Sequence, residues 1–493
     1  MKVLRALRGV FRLVKYAAVF ALGALVVLVL GDVLYSSGLR DLRPWETTGL
    51  ASEFHAGMPD APRTFAEYMA LEDRLFTEVK ALERRDYDAQ LDASLGRYNP
   101  AGSILAARLR RDWNRSYVLE AKPARAVALL VHGLSDSPYS LRSEARALQA
   151  EGVTVYGLRL PGHGTIPAGL DQVRWQDWMA AVEMAFNDIR ARHPSLPVYF
   201  VGYSCGAALG LKYAADAIEQ GRDERLPKRM FLISPAVGVA PVAMLANLQR
   251  LVTDLGMAPK SRWTNIDLEV DPFKYGSFAK NAGAQIYYLT DALAGELRTL
   301  ERSGLSARLP PVVSFQSVVD DTVNSDAVVN RLYGALRGGT SELVLFDVNR
   351  LESLRPFLEF SPQPLLDATR RGARSDYRLT LITNASPESS DVVERIWAPG
   401  APAPETRPLP YAWPQGIYSL SHVALPFAPD DPIYGLEAQG PAGPLRTLGN
   451  LELHGERNVM VVPAAERLRL RSNPFHAYLL GRITARVDED LKP

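Results

Sequence analysis

The segment Val201-Gly202-Tyr203-Ser204-Cys205-Gly206 constrains this chain more than any other. It is a G-x-S-x-G pentapeptide between an apolar run, Val198 to Val201, and a small-residue helical run, Ala207 to Ala215. A strand, a tight turn and a helix in that order hold a serine in strained backbone geometry and lift its hydroxyl clear of the sheet. Gly202 and Gly206 are required because so tight a turn leaves no room for side chains two residues before and after the serine. Ser204 is therefore the candidate nucleophile. Cys205, the one cysteine among 493 residues, reads as a small buried hydrophobe rather than a reactive thiol. Alone, it can form neither an intrachain disulfide nor a Cys-based zinc site.

From residue 116 onward the chain alternates. Runs at 116–120, 126–131, 154–159, 197–201, 229–234, 312–317 and 342–346 read as strands, and helical spacing at 140–150, 175–193, 206–218 and 325–336 separates them. This rhythm predicts crossover units and a mainly parallel central sheet flanked by helices, an α/β architecture over residues 116–490. Two long segments interrupt it. Residues 240–309 contain a helix-like pattern at 242–255. Residues 349–420 hold a strand-like piece at 377–383 and a Pro-rich stretch at 399–414, expected as a surface loop or linker.

The N-terminus carries an uncharged run at 16–30. At 1.5 Å per residue it spans roughly 22 Å, short of a hydrocarbon core of ~30 Å. Extension from Leu13 to Tyr35 closes the gap, with Lys15 and Asp32 near the two interfaces. Lys2, Arg5, Arg8, Arg12 and Lys15 form a basic tail, so the positive-inside rule predicts a single-pass signal-anchor helix at 13–35. Its N-terminus would be cytoplasmic and the main domain extracytoplasmic. A cleaved signal peptide and a buried apolar helix are the alternatives; no A-x-A cleavage pattern follows the run. Residues 36–63 are polar and turn-rich and read as a tether. Helical spacing of Tyr68, Met69, Leu71, Leu75, Phe76, Val79 and Leu82 predicts an amphipathic helix at 65–85. A net charge of +1 gives no electrostatic case for nucleic acid.

A serine hydroxyl needs a base to take its proton, and the base needs a carboxylate to fix its tautomer. In the order serine, acid, histidine, the acid belongs at a strand end. The run 312–319 leads into Asp320-Asp321, and the spacing from Ser317 through Asp320 to Val323 favours Asp320, with Asp321 as the alternative. Downstream lie His422, His454 and His476. His422 sits in an apolar-flanked loop and is the candidate base, while His454 and His476 read as surface or capping histidines. The run 128–131 ends in His132-Gly133-Leu134, whose Leu134 N–H would stabilise an oxyanion together with the N–H of Cys205. His132 and Asp136 read as structural, and His163, which precedes the serine, as a packing residue. No H-E-x-x-H, paired-cysteine or calcium-loop spacing is present, nor a strand-following G-x-G-x-x-G, so neither metal nor nucleotide cofactor is expected.

Three stretches in order, VHGLSDSPYSL, LRLPGHGT and VGYSCGAALGL, resemble the α/β-hydrolase superfamily near its monoacylglycerol lipase, lysophospholipase and serine aminopeptidase-like branch. The resemblance covers about 126–234 and resumes at 312–346 and at His422. It implies an α/β-hydrolase fold with a cap at 240–309, Ser204 as nucleophile, Asp320 as acid and His422 as base, with Leu134 and Cys205 as oxyanion donors. It also implies hydrolysis of carboxylic esters, with a monoacylglycerol or lysophospholipid as the lipid-like substrate. A peptidase or amidase, or a non-catalytic binding protein on the same fold, is the alternative. Asp267, Glu269 and Asp271 would be the amine-recognising cluster of an aminopeptidase. The chain departs from the family pattern in its segment 36–114, in the long insertion before His422, and in the loop SLSHVALPFAPDDPIYG.

Overall fold

The computed structural model describes residues 2–86, 96–99, 109, 111–238, 258–320, 322–358, 367, 376–435, 451–452 and 469–492. Ten strands form one sheet: β1 (Tyr117–Leu119), β2 (Ala126–Val131), β3 (Val153–Leu158), β4 (Val198–Tyr203), β5 (Arg229–Ile233), β6 (Val312–Ser317), β7 (Ser341–Phe346), β8 (Tyr377–Asn384), β9 (Asp391–Trp397) and β10 (Glu405–Ala412). Their order is β1-β3-β2-β4-β5-β6-β7-β8-β9-β10. The seven strands from β3 to β8 run parallel; β1 pairs antiparallel at one edge, and β9 and β10 at the other. This bears out the mainly parallel α/β sheet expected from the alternating pattern and the α/β-hydrolase fold that the resemblance implied.

The pleat explains why the central strands read as unbroken apolar runs. Val127, Leu129 and Val131 of β2 face one core, and Ala126, Ala128 and Leu130 face the other. Both faces are covered, as parallel sheets require. Helices α4 (Trp175–Arg192), α5 (Cys205–Glu219) and α6 (Lys280–Arg302) contribute Val182, Ala208 and Leu293 to the first core. Helices α3 (Arg142–Ala150) and α7 (His476–Asp490) bring Leu148 and Ile483 to the second.

Four expectations change. Residues 399–414 are not simply a loop, because β10 runs through them with Pro408 and Pro410 inside it. An edge strand accommodates proline, since one side of it needs no ladder donors. Residues 36–63 pack on the domain rather than tethering it. Trp45, Glu46, Glu53 and Phe54 are buried, and α2 (Phe65–Asp86) lies behind them with the apolar stripe predicted for it. His476 is not a surface histidine, since it is buried with Nε2 3.0 Å from Glu144 Oε1. The helix expected at 242–255 lies outside the described residues, while the neighbouring α6 was not anticipated.

The fourth change concerns the membrane. Residues 13–35 fall within α1 (Lys2–Ser37). Among the described residues no helix is long and apolar enough to cross a membrane, so the predicted span is not found. The side chains at 21, 22 and 25 lie outside that described set. The last turns of α1 are held by protein: Asp32 pairs with Lys280, and the Tyr35 hydroxyl donates to Thr264 O at 3.4 Å. Phe11, Leu13, Val19 and Phe20, nearer its start, are exposed.

Candidate active site

Ser204 sits between β4 and α5 with φ 52° and ψ −111°, a backbone conformation that side chains rarely adopt. The turn is held from both sides: Ser204 N–H donates to Ile233 O at 2.9 Å, and Ser204 O accepts from Ala208 N and Ala236 N, each at 3.2 Å. The glycines are needed for the reason inferred from sequence. A Cβ on Gly202 would lie 2.6 Å from Ala207 Cα, and one on Gly206 would overlap the carbonyl of Val131.

Asp320 follows β6 and faces four donors. Its Oδ1 accepts from Thr322 N at 2.9 Å and Val323 N at 2.8 Å. Its Oδ2 accepts from Gln316 Nε2 at 3.1 Å and lies 2.7 Å from His422 Nδ1. The remaining carboxylate capacity is thereby fixed in direction, and Nδ1 of His422 is committed to the acid, with Nε2 as its other ring nitrogen. The alternative acid, Asp321, lies outside the described residues, as does His454. His422 opens a short 3₁₀ turn, His422–Ala424, after the insertion. Tyr203, the residue before the serine, donates its hydroxyl to His422 O at 3.3 Å, and the two rings lie 5.3 Å apart. His422 thus lies against the residue that precedes the serine. No hydrogen bond joins the Ser204 and His422 side chains in this structure.

The turn after β2 approaches from the other side, and a Cβ on Gly133 would lie 3.3 Å from Ser204 Cβ. Ser135 has a φ of 60°, which closes the turn. Among the described residues neither Leu134 N–H nor Cys205 N–H has a protein acceptor. Cys205 N–H is one of the orphan donors that begin α5. Burial pushes the Cys205 thiol well up, which keeps it inert.

The other histidines hold loops. His132 Nδ1 lies 2.8 Å from Gly133 O, and its Nε2 accepts from Leu160 N at 3.0 Å. Burial holds the His163 imidazole down to about 3, so it stays neutral beside Pro161 O, 2.9 Å from its Nδ1. Arg159, fully buried, pairs with Glu53 and Glu72 at 2.9 Å each, which ties the N-terminal segment to the loop that His163 occupies.

One feature escaped the sequence, and a second was read there only as structural. Asp431 is buried and accepts from Tyr139 Oη at 2.8 Å, Arg142 Nη2 at 3.1 Å, Ile433 N at 2.9 Å and Tyr434 N at 3.0 Å. It therefore pins the loop beyond His422; its Asp-Pro sequence was the available signal. Asp136, two residues after Leu134, has a buried Oδ1 with no hydrogen-bond partner. Burial pushes its carboxyl up to about 6, opposed by nearby Lys274.

Sheet order, strained serine turn and strand-end loops together are those of an α/β-hydrolase fold. More particularly, residues 122–276 match the family model described as serine aminopeptidase, S33. The chain is 36% identical over 86 residues to a thermostable monoacylglycerol lipase of Bacillus sp. (strain H-257), a match spanning 17% of this chain and about a third (34%) of that protein. Similar solved structures include a monoacylglycerol lipase of Paleococcus ferrophilus, at 19% identity and TM-score 0.36, covering 47% of this chain and 88% of that one. A carboxyl esterase of Bacillus coagulans is similar at 14% identity and TM-score 0.36, covering 47% and 84%.

Proposed function

We propose that the chain is a serine hydrolase of carboxylic esters, with Ser204 as nucleophile, His422 as general base and Asp320 as the group that orients it. The observation that carries this reading is the strained Ser204 set at the same strand ends as the 2.7 Å His422–Asp320 contact. Ser204 Oγ attacks the acyl carbonyl while His422 Nε2 takes its proton. The N–H groups of Leu134 and Cys205 receive the oxyanion. His422 then protonates the departing alcohol, and water resolves the acyl-enzyme by the same route. The serine–imidazole hydrogen bond forms on substrate binding, as catalytic bonds often tighten only in the Michaelis complex.

The substrate is lipid-like, a monoacylglycerol in first place and a lysophospholipid in second. The kinship with a monoacylglycerol lipase supports this. So does Asp136, whose unpartnered oxygen two residues from Leu134 suits a hydroxyl on the alcohol portion. The predicted membrane anchor plays no part in the reading. For the aminopeptidase alternative, the carboxylates of the candidate amine-binding cluster already accept hydrogen bonds from the protein, which favours the ester reading. Glu269 is occupied by Gly276 N and Ser277 N, and Asp271 by Phe273 N, Lys274 N and Tyr434 Oη. Asp267 accepts from Asn265 Nδ2 at 2.5 Å.

Fluorophosphonate labelling of wild type beside Ser204→Ala and His422→Ala, followed by p-nitrophenyl esters of increasing chain length, tests the proposal. Labelling that needs both residues, with ester turnover, is expected. Absence of labelling in wild type points to a binding protein, and amide without ester turnover points to a peptidase.

A further inference from the structure

The ends of β7 and β8 enclose a cavity of about 220 Å³ lined by Asp347, Arg350, Thr383, Ser386 and Arg395 among others. The carboxylate there is already used. Asp347 Oδ1 accepts from Val348 N and Arg350 Nη2, each at 2.8 Å. Its Oδ2 accepts from Arg350 Nε at 2.9 Å and Thr383 Oγ1 at 2.8 Å. This bidentate pair neutralises Arg350. Arg395 is different. It projects from β9 opposite Leu381 of β8, is half-buried, and has no ion pair or hydrogen bond among the described residues. The adjacent Glu394 points to the other face of the strand, where it accepts from Tyr478 Oη at 2.7 Å.

The cavity therefore offers donors: the Arg395 guanidinium, the Nη1 of Arg350 and the hydroxyl of Ser386, whose oxygen accepts from Glu388 N at 3.3 Å. A guanidinium withdrawn from bulk water without a counter-charge is unfavourable, and its planar fork matches an oxyanion through two parallel hydrogen bonds. We infer that this cavity is a binding site for a small phosphate oxyanion, free or as a monoester, with Arg395 as its principal contact. The site uses none of the groups assigned to ester hydrolysis, so it stands or falls separately. It is nevertheless linked to them. Asn349, within the same turn, donates through N to Tyr418 O at 2.7 Å and through Nδ2 to Ile417 O at 2.8 Å. Those carbonyls begin the loop that reaches His422.

The test is thermal unfolding of the full chain titrated with inorganic phosphate, with chloride holding ionic strength constant. Wild type should show a saturating rise of roughly 2–4 °C. Arg395→Gln should lose it, and Arg395→Lys, which keeps the charge, should retain part, guarding against a folding artefact. Glycerol phosphate in a parallel titration separates the two sources: saturation at lower concentration than inorganic phosphate assigns a monoester, and the reverse assigns the free ion. A wild-type rise no larger than chloride alone produces, or a full rise in Arg395→Gln, overturns the site.

Discussion

His422 Nδ1 lies 2.7 Å from Asp320 Oδ2, although 102 residues separate the two in the chain. The contact joins the end of a core strand, β6, to a loop that arrives only after two further antiparallel strands have been added to the sheet. The insertion before His422 is therefore a route. It widens the sheet by β8, β9 and β10 and returns the histidine to the strand ends where Ser204 sits. Asn349 and Asp431 hold that returning loop before and after the imidazole.

If Asp320 sets the His422 tautomer, Asp320→Asn should reduce kcat by about 10³–10⁴ and leave KM nearly unchanged. Fluorophosphonate labelling should slow comparably. A loss smaller than tenfold would remove Asp320 from the mechanism and return attention to Asp321.

What the sequence revealed and what it hid follow from physical range. Strands β2, β4, β5 and β6 were legible because two covered faces demand apolar residues at every position. Ser204 was legible because its turn needs glycines at fixed offsets. Asp320 and His422 could be ordered along the chain, but their contact is tertiary. Strand β10 was hidden because its residues are mostly exposed and include two prolines, so it lacks the composition of a core strand. Residues 36–63 were misread because polar side chains fasten them. Glu53 is buried by pairing with Arg159, which no apolar periodicity announces.

The second carboxylate paired with Arg159, Glu72, yields a stability prediction. Glu72 Oε1 accepts from Arg159 Nε at 2.9 Å and from Ser116 Oγ at 2.7 Å, deep beneath α2. Glu72→Ala leaves a fully buried guanidinium short of one partner, a change of about 3–5 kcal/mol. Denaturant unfolding measures it. A cost below about 1 kcal/mol would show that the N-terminal segment is only loosely attached.

The tight turn at Ser204 makes a contrasting prediction for glycine. Gly206→Ala sets a Cβ against the carbonyl of Val131, whereas Gly481→Ala, in α7, meets open space. The first should destabilise by about 2 kcal/mol or more and lower labelling of Ser204. The second should stabilise by roughly 0.5–1 kcal/mol through helix propensity. Equal effects in thermal melts would contradict the close packing of the turn.

Glu46 predicts a pH dependence. It accepts from Arg43 N at 2.7 Å and Ser277 Oγ at 3.3 Å. Burial, with Glu269 adding to the effect, pushes its carboxyl up from 4.5 to about 8. The folded state therefore holds this proton more tightly than the unfolded chain does. Its stability contribution is present below pH 4.5 and is lost as pH rises toward 8, by on the order of a few kcal/mol. Melting curves from pH 5 to 8 should show wild type falling relative to Glu46→Gln, which carries no titrating group. Parallel curves for the two proteins would place the pH sensitivity elsewhere.

Asp136 separates recognition from chemistry. Its free Oδ1 lies two residues beyond Leu134, in the turn proposed to hold the oxyanion, and burial raises its carboxyl from 3.8 to about 6, so it is ionised only above that range. A hydrogen bond from a substrate hydroxyl to a charged acceptor contributes about 1.5–3 kcal/mol. For a glyceryl ester, Asp136→Ala should thus lower kcat/KM about 10- to 100-fold, most strongly above pH 6. For the methyl ester of the same acyl chain, which has no such hydroxyl, the change should stay within about twofold. Fluorophosphonate labelling of Ser204 should persist, which distinguishes lost recognition from a damaged turn. Equal losses on both esters would assign Asp136 to holding the oxyanion turn rather than to reading the alcohol.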